Sequence, residues 1–176
     1  MKRYVIDPMH SDIEFKIKHL MISTVKGRFN LYDAWMESHK EDFSDAKITC
    51  VIRTESIYTS IKDRDDHLRS ADFFDVEKFP TMEFRSTSVQ AGKDGTYTVD
   101  GRMTIKGVTK PLRLKGTFNG SDVDHYGQTK YGFELEGKLS RSEWDLDFNV
   151  AGGKNTLLIG DEVKLDISIQ MIEDDV

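Results

Sequence analysis

The sequence predicts an all-β fold, an extended eight-stranded antiparallel barrel with a short helical insertion. Three observations point there. Apolar and polar residues alternate with period 2 in eight successive segments, the signature of strands with one dry and one wet face. The wet faces are too heavily charged to be enclosed. A single stretch, from Ile61 to Phe79, breaks the alternation.

The opening Tyr4-Val5-Ile6-Asp7-Pro8 is strand-like. In the first full segment Ile13, Phe15 and Ile17 share one parity, with Asp12, Glu14, Lys16 and Lys18 on the other. Val25, Gly27, Phe29 and Leu31 then alternate with Lys26, Arg28, Asn30 and Tyr32. Ala46, Ile48, Cys50 and Ile52 follow the same rule, as do Met82 and Phe84 after Pro80. Tyr97, Val99, Met103 and Ile105 share a face, with Gly101 between them as an expected bend or bulge. Leu112, Leu114 and Phe118 form the next stripe, then Tyr131, Phe133, Leu135 and Leu139. The last strand sets Val163, Leu165, Ile167, Ile169 and Met171 against Lys164, Asp166, Ser168 and Gln170. Half-wet strands pair antiparallel and bury one side, and eight of them can close around one ligand. A filled sandwich is the competing architecture. The interruption, Lys62 to Ser70, reads as a short polar helix with Asp63 in its first turn and Arg69 in its last. Phe73 and Phe74 follow it and are expected near one end of the barrel, with Leu157 and Leu158 closing the opposite side.

At 176 residues, 38% hydrophobic and 32% charged, residues 1–176 fit one soluble domain. The net charge of −6 opposes binding to nucleic acid, and by charge alone opposes docking on anionic membranes. No window reaches the roughly 20 apolar residues of a membrane-spanning helix. A transmembrane barrel would have to enclose Asp12, Glu14, Lys16, Arg113, Glu134, Glu136 and Lys164, which an eight-stranded lumen has no room for. The start lacks the apolar core of a signal peptide, so the chain is expected in the cytoplasm as numbered, or in the periplasm if a signal was removed. The lone Cys50 excludes an internal disulfide and reads as a packing residue.

Catalytic signatures are sparse. The five histidines form no paired metal-binding spacing, and neither a metal nor a cofactor is expected. Asp7, His10 and Ser11 have the residue types of a triad in a spacing that does not orient them. Gly101 to Gly107 sits between strands with no helix after it, so it cannot be a phosphate loop. His19 shares the inward parity. Arg64, His67 and Arg69 are candidates for holding a polar head group at the barrel mouth. The charged run that contains them is otherwise a solvated helix face.

In order along the chain stand Asp7-Pro8, His10-Ser11, Ile13-Glu14-Phe15, His19-Leu20 and Val25-Lys26-Gly27-Arg28-Phe29. Next come Ser56-Ile57-Tyr58-Thr59, Arg64-Asp65-Asp66-His67-Leu68-Arg69-Ser70, Asp72-Phe73-Phe74-Asp75 and Pro80-Thr81-Met82-Glu83-Phe84. Met103 to Pro111, Gly127, Gly132-Phe133, Ser140-Arg141 and Gly160-Asp161-Glu162-Val163 complete the set. This pattern resembles the YceI-like lipid-binding family over almost the whole chain. The resemblance implies a lipocalin-like barrel whose pore takes a polyisoprenoid or similar long lipid, with no established catalysis. Pairing is common among such proteins, and a homodimer is expected through an outward residue such as Trp35 or Tyr32. The ligand-lining set combines inward parity with this resemblance: Ile13, Phe15, Ile17, His19, Phe29, Phe73, Phe74, Phe84, Met103, Phe133, Leu158, Leu165 and Ile167. A filled structural or partner-binding barrel, and an enzyme acting on a lipid, remain the alternatives. A cavity separates the first from a carrier, and convergent titratable groups would mark the second.

Overall fold

The computed structural model describes residues 1–150 and 158–174. Leu157 lies outside the described residues. Among the described residues eleven strands form one closed antiparallel sheet. β1 (Lys2–Ile6) and β2 (Asp12–His19) lie end to end along one edge of β11 (Ile159–Glu173), against its last and first parts. β3 (Ser23–Phe29) runs back along β2, and β4 (Tyr32–Ser38) along β1. β5 (Lys47–Arg53) pairs with β4, and β6 (Ile57–Tyr58) with β3. β7 (Thr81–Ala91), β8 (Thr96–Ile105), β9 (Val108–Val123) and β10 (Thr129–Ser140) continue the meander to β11. The result is an eight-stave barrel, as expected, in which the first three staves are each broken in two.

Each break has a local cause. Pro8 lacks the N–H a ladder needs, and Pro8–His10 turns as a 3-10 helix with Met9 N–H donating to the Asp7 carboxylate at 3.1 Å. Ser11 bridges the gap, donating to the Asp7 carbonyl at 2.7 Å and accepting from the Gln170 N–H at 2.9 Å. Asn30–Leu31 separates β3 from β4 and flips the parity. Leu31, expected inward, is 55% exposed. Tyr32, expected outward as a dimer contact, turns in and donates its hydroxyl to the Ser11 carbonyl. Trp35 stays half-buried on β4. At the third break Thr54 is buried and donates to the Phe79 carbonyl at 2.8 Å.

The bulge expected at Gly101 lies on its partner, where Thr87 is the extra residue between Ser86 and Ser88. Gly101 faces inward beneath the Phe84 ring. A Cβ there would stand 2.3 Å from that ring, so the glycine is required by close approach. Gly27 is covered by Phe15 in the same way.

Helix α1 (Lys62–Arg69) fills the predicted interruption. Asp63 lies in its first turn, as expected, while the cap position falls to Ile61, which offers no side-chain bond. The anchor is instead Asp65, 4% exposed, which accepts from the Thr59 N–H at 2.8 Å and the Thr59 hydroxyl at 2.5 Å. Arg64 reinforces it by donating to the Thr59 hydroxyl and carbonyl, each at 2.7 Å.

Candidate functional site: an apolar cavity through the barrel

The inward stripes of the staves do not meet at the axis. They enclose a cavity of about 470 Å³, within the range of pockets that take whole ligands. Its wall is aliphatic and aromatic along its length. Ile13, Phe15 and Ile17 of β2 face Leu165 and Ile167 of β11, and Phe84, Met103, Leu112 and Leu114 complete the middle.

The two ends differ. One is sealed by Phe43, 3% exposed, from the loop between β4 and β5. Its ring makes edge contacts with Tyr4, Phe118, Tyr131 and Phe133 at centroid distances of 5.4 to 6.0 Å. The other end lies under α1, the β2–β3 turn and residues 141–148 with Leu158. There Phe73, Phe74, Leu146 and Phe148 narrow the cavity, with Phe148 5.1 Å from Phe73 and 4.9 Å from His67. His67 lines the cavity while 44% of its side chain remains exposed, so this end is the mouth. The titratable side chains lining the cavity there are basic: Lys18, His19, Arg64, His67 and Arg141, with no aspartate or glutamate among the described residues. Lys18 turns its ammonium outward to the Thr24 hydroxyl at 3.2 Å.

All thirteen residues expected to face the ligand are brought to this one cavity. Leu158 sits at the same end as Phe73 and Phe74, not on the opposite side, because β11 starts where β2 ends. Of the three head-group candidates, Arg64 and His67 reach the mouth and Arg69 does not. Arg69 clamps the chain, donating to the Glu55 carbonyl at 2.7 Å and the Ile57 carbonyl at 2.9 Å. The triad residue types form no triad: His10 Nδ1 lies 3.0 Å from the Asp7 carboxylate, but the Ser11 hydroxyl is engaged with backbone. Cys50 faces the cavity, and burial pushes its thiol up to about 12, which keeps it neutral and inert near pH 7.

Alternation marks neither of two further features, although Ser140-Arg141 belongs to the family pattern. Phe43 lies in an irregular loop, where alternation is silent. Arg141 is 5% exposed and holds the mouth together, donating to the carbonyls of Gly160 at 2.8 Å, Phe148 at 2.9 Å and Leu146. Desolvation pushes its pKa down, opposed by Asp161 and Asp147.

Comparison with known proteins agrees with this geometry. The model of the YceI-like domain matches residues 4–171. A UPF0312 protein of Staphylococcus epidermidis is 37% identical over 171 residues, 97% of each chain. Among solved structures, a Campylobacter jejuni YCEI protein is 30% identical, with a TM-score of 0.75 and 91% of each chain covered. BcnA of Burkholderia cenocepacia shares the fold at a TM-score of 0.80 with 21% identity, covering 94% of this chain and 98% of its own. A polyisoprenoid binding domain from Saccharophagus degradans shares it at 0.73 with 13% identity, covering 97% and 98%. With its closed barrel, its broken first staves and a family match from Tyr4 to Met171, the chain belongs to the YceI-like family.

Proposed function

We propose that this barrel binds one long apolar molecule for storage or transport, a polyisoprenoid, a quinone tail or a fatty acyl derivative, with its polar end at the mouth near Arg64 and His67. The observation that carries this reading is the lining, which is hydrocarbon from the Phe43 plug to His19 and is interrupted by polar groups chiefly at the open end. Burial of a CH₂ contributes about 0.8 kcal/mol, so each five-carbon unit adds roughly 3 kcal/mol before costs. Association and chain ordering cost about 4–15 kcal/mol, which several buried units exceed without a charged partner. The preformed wall lowers that cost, because only the ligand must be ordered. A filled barrel would lack the cavity. The fold likeness to a domain described as polyisoprenoid binding is in keeping with this reading.

Mass spectrometry of an organic extract of the purified protein tests it. The expected result is a long-chain lipid at close to one per chain, absent from an extract of an unrelated protein prepared alongside. An extract without any such species, from protein that also takes up none when lipid is supplied, would contradict it.

A further inference from the structure

The outer wall beside the mouth carries two features that binding in the cavity does not use. The first is the β2–β3 turn. His19 accepts from the Ile22 N–H at 3.2 Å, closing a tight turn whose central residues, Leu20 and Met21, have φ of +52° and +59°. This geometry favours Asn-Gly and strains a branched or long side chain. The chain places Leu-Met-Ile there instead, with Met21 63% and Ile22 83% exposed. Leu20 N–H donates to the Leu158 carbonyl, and Leu158 N–H to that of Val150, itself 45% exposed. An apolar tip therefore stands directly beside the cavity mouth.

The second feature is a row of lysines just below it. Lys138 pairs directly with Lys164, Lys164 with Lys16, and Lys16 with Lys26, across four adjacent strands. Neighbouring strands are about 4.8 Å apart, and like charges placed directly opposite repel. Lys18 lies between the row and the tip. The facing carboxylates only partly offset this charge: Asp166 lies 3.2 Å from Lys16 and Glu162 3.8 Å from Lys138, while Asp161 accepts from the Ser142 N–H. One step further from the tip, Glu136, Asp166 and Glu14 form an acidic row flanked by Lys115 and Arg28. Lys26 and Lys164 have no carboxylate within 4.0 Å among the described residues. In a chain of net charge −6, four lysines thus occupy adjoining positions on the wall that carries the apolar tip.

From this juxtaposition we infer that the mouth end docks on the surface of an anionic lipid bilayer, the Leu20–Ile22 tip entering the interface and the lysine row meeting the head groups. An apolar tip with lysines behind it is the arrangement by which peripheral proteins hold such a surface. Docking there would bring the cavity mouth to the membrane, where a long apolar molecule has to be collected or delivered. The inference goes beyond the cavity reading, and its test needs no cavity ligand.

Vesicle sedimentation of the full chain provides that test, with phosphatidylcholine vesicles compared with vesicles containing phosphatidylglycerol. The wild type is expected to pellet with the anionic vesicles at least tenfold more strongly, and to be released by 0.5 M salt, at which screening shortens to roughly 4 Å. Each lysine near such a surface contributes about a fivefold gain, so Lys26→Glu with Lys164→Glu should lower binding more than tenfold. Leu20→Asn with Met21→Gly and Ile22→Ser gives the turn the residues its geometry favours, so this variant should keep or raise its melting temperature while losing binding. Ile167→Trp, which alters only the interior, should dock as the wild type does. Equal pelleting with both vesicle types would overturn the inference, as would wild-type binding by both the tip and the lysine variants. Tip-dependent self-association without vesicles, with no pelleting on them, would also overturn it and assign the tip to a second copy of the chain.

Discussion

Ile167→Trp should fold, keep short apolar ligands and lose long ones by at least a hundredfold. Ile167 stands at mid-barrel, paired with Leu135 on one side and Ile13 on the other, and it faces the cavity. An indole there closes the passage between the mouth and the Phe43 plug while keeping the wall apolar. A chain stopped at that level forfeits the units beyond it, each worth roughly 3 kcal/mol, and a hundredfold is about 2.7 kcal/mol. Overpacking itself costs about 1–3 kcal/mol, so a thermal melt accompanies the binding measurement. Unchanged affinity for long chains in a folded variant would mean that the ligand does not pass Ile167.

Arg141→Leu should cost about 3–5 kcal/mol, since hydrogen bonds to a charged group contribute about 1.5–3 kcal/mol each and the guanidinium makes several with backbone carbonyls. Leucine keeps part of the apolar stem but leaves the carbonyls of Gly160, Leu146 and Phe148 without their donor in a buried corner. For a chain of this size the melting temperature should fall by roughly 10 °C or more. The loss should fall first on the mouth, because those carbonyls belong to the segments that frame it. A drop of less than about 3 °C would show that water or neighbouring groups satisfy them.

Strand parity made most of the barrel legible. Wherever a stave is continuous, alternation gives the inward residue correctly, as along β11 from Val163 to Met171. It fails where a stave breaks. Counting straight through Asn30 sends Leu31 inward and Tyr32 outward, whereas the irregular step there reverses both. The same logic explains the cavity. Most of the inward-facing set follows from alternation, with Phe73, Phe74 and Leu158 outside it, but the empty volume between the stripes depends on how widely the staves close, and a one-dimensional pattern does not carry that. The Phe43 plug depends on loop placement, on which alternation is silent, and Arg141 is visible in the sequence only as part of the family pattern. Arg69 and Asp65 show the matching limit on the helix: both are charged residues in one polar run, and only the fold shows that Asp65 ties α1 to Thr59 while Arg69 holds the Glu55 and Ile57 carbonyls.

The cavity as the seat of a long chain is tested most directly by titrating the wild-type protein with prenyl alcohols of increasing length. Affinity should rise about tenfold or more with each added five-carbon unit, since each brings roughly 3 kcal/mol of burial less the cost of ordering it, and should level off once the chain reaches the Phe43 plug. An affinity that stays flat from the shortest alcohol to the longest would contradict a ligand lying along the barrel.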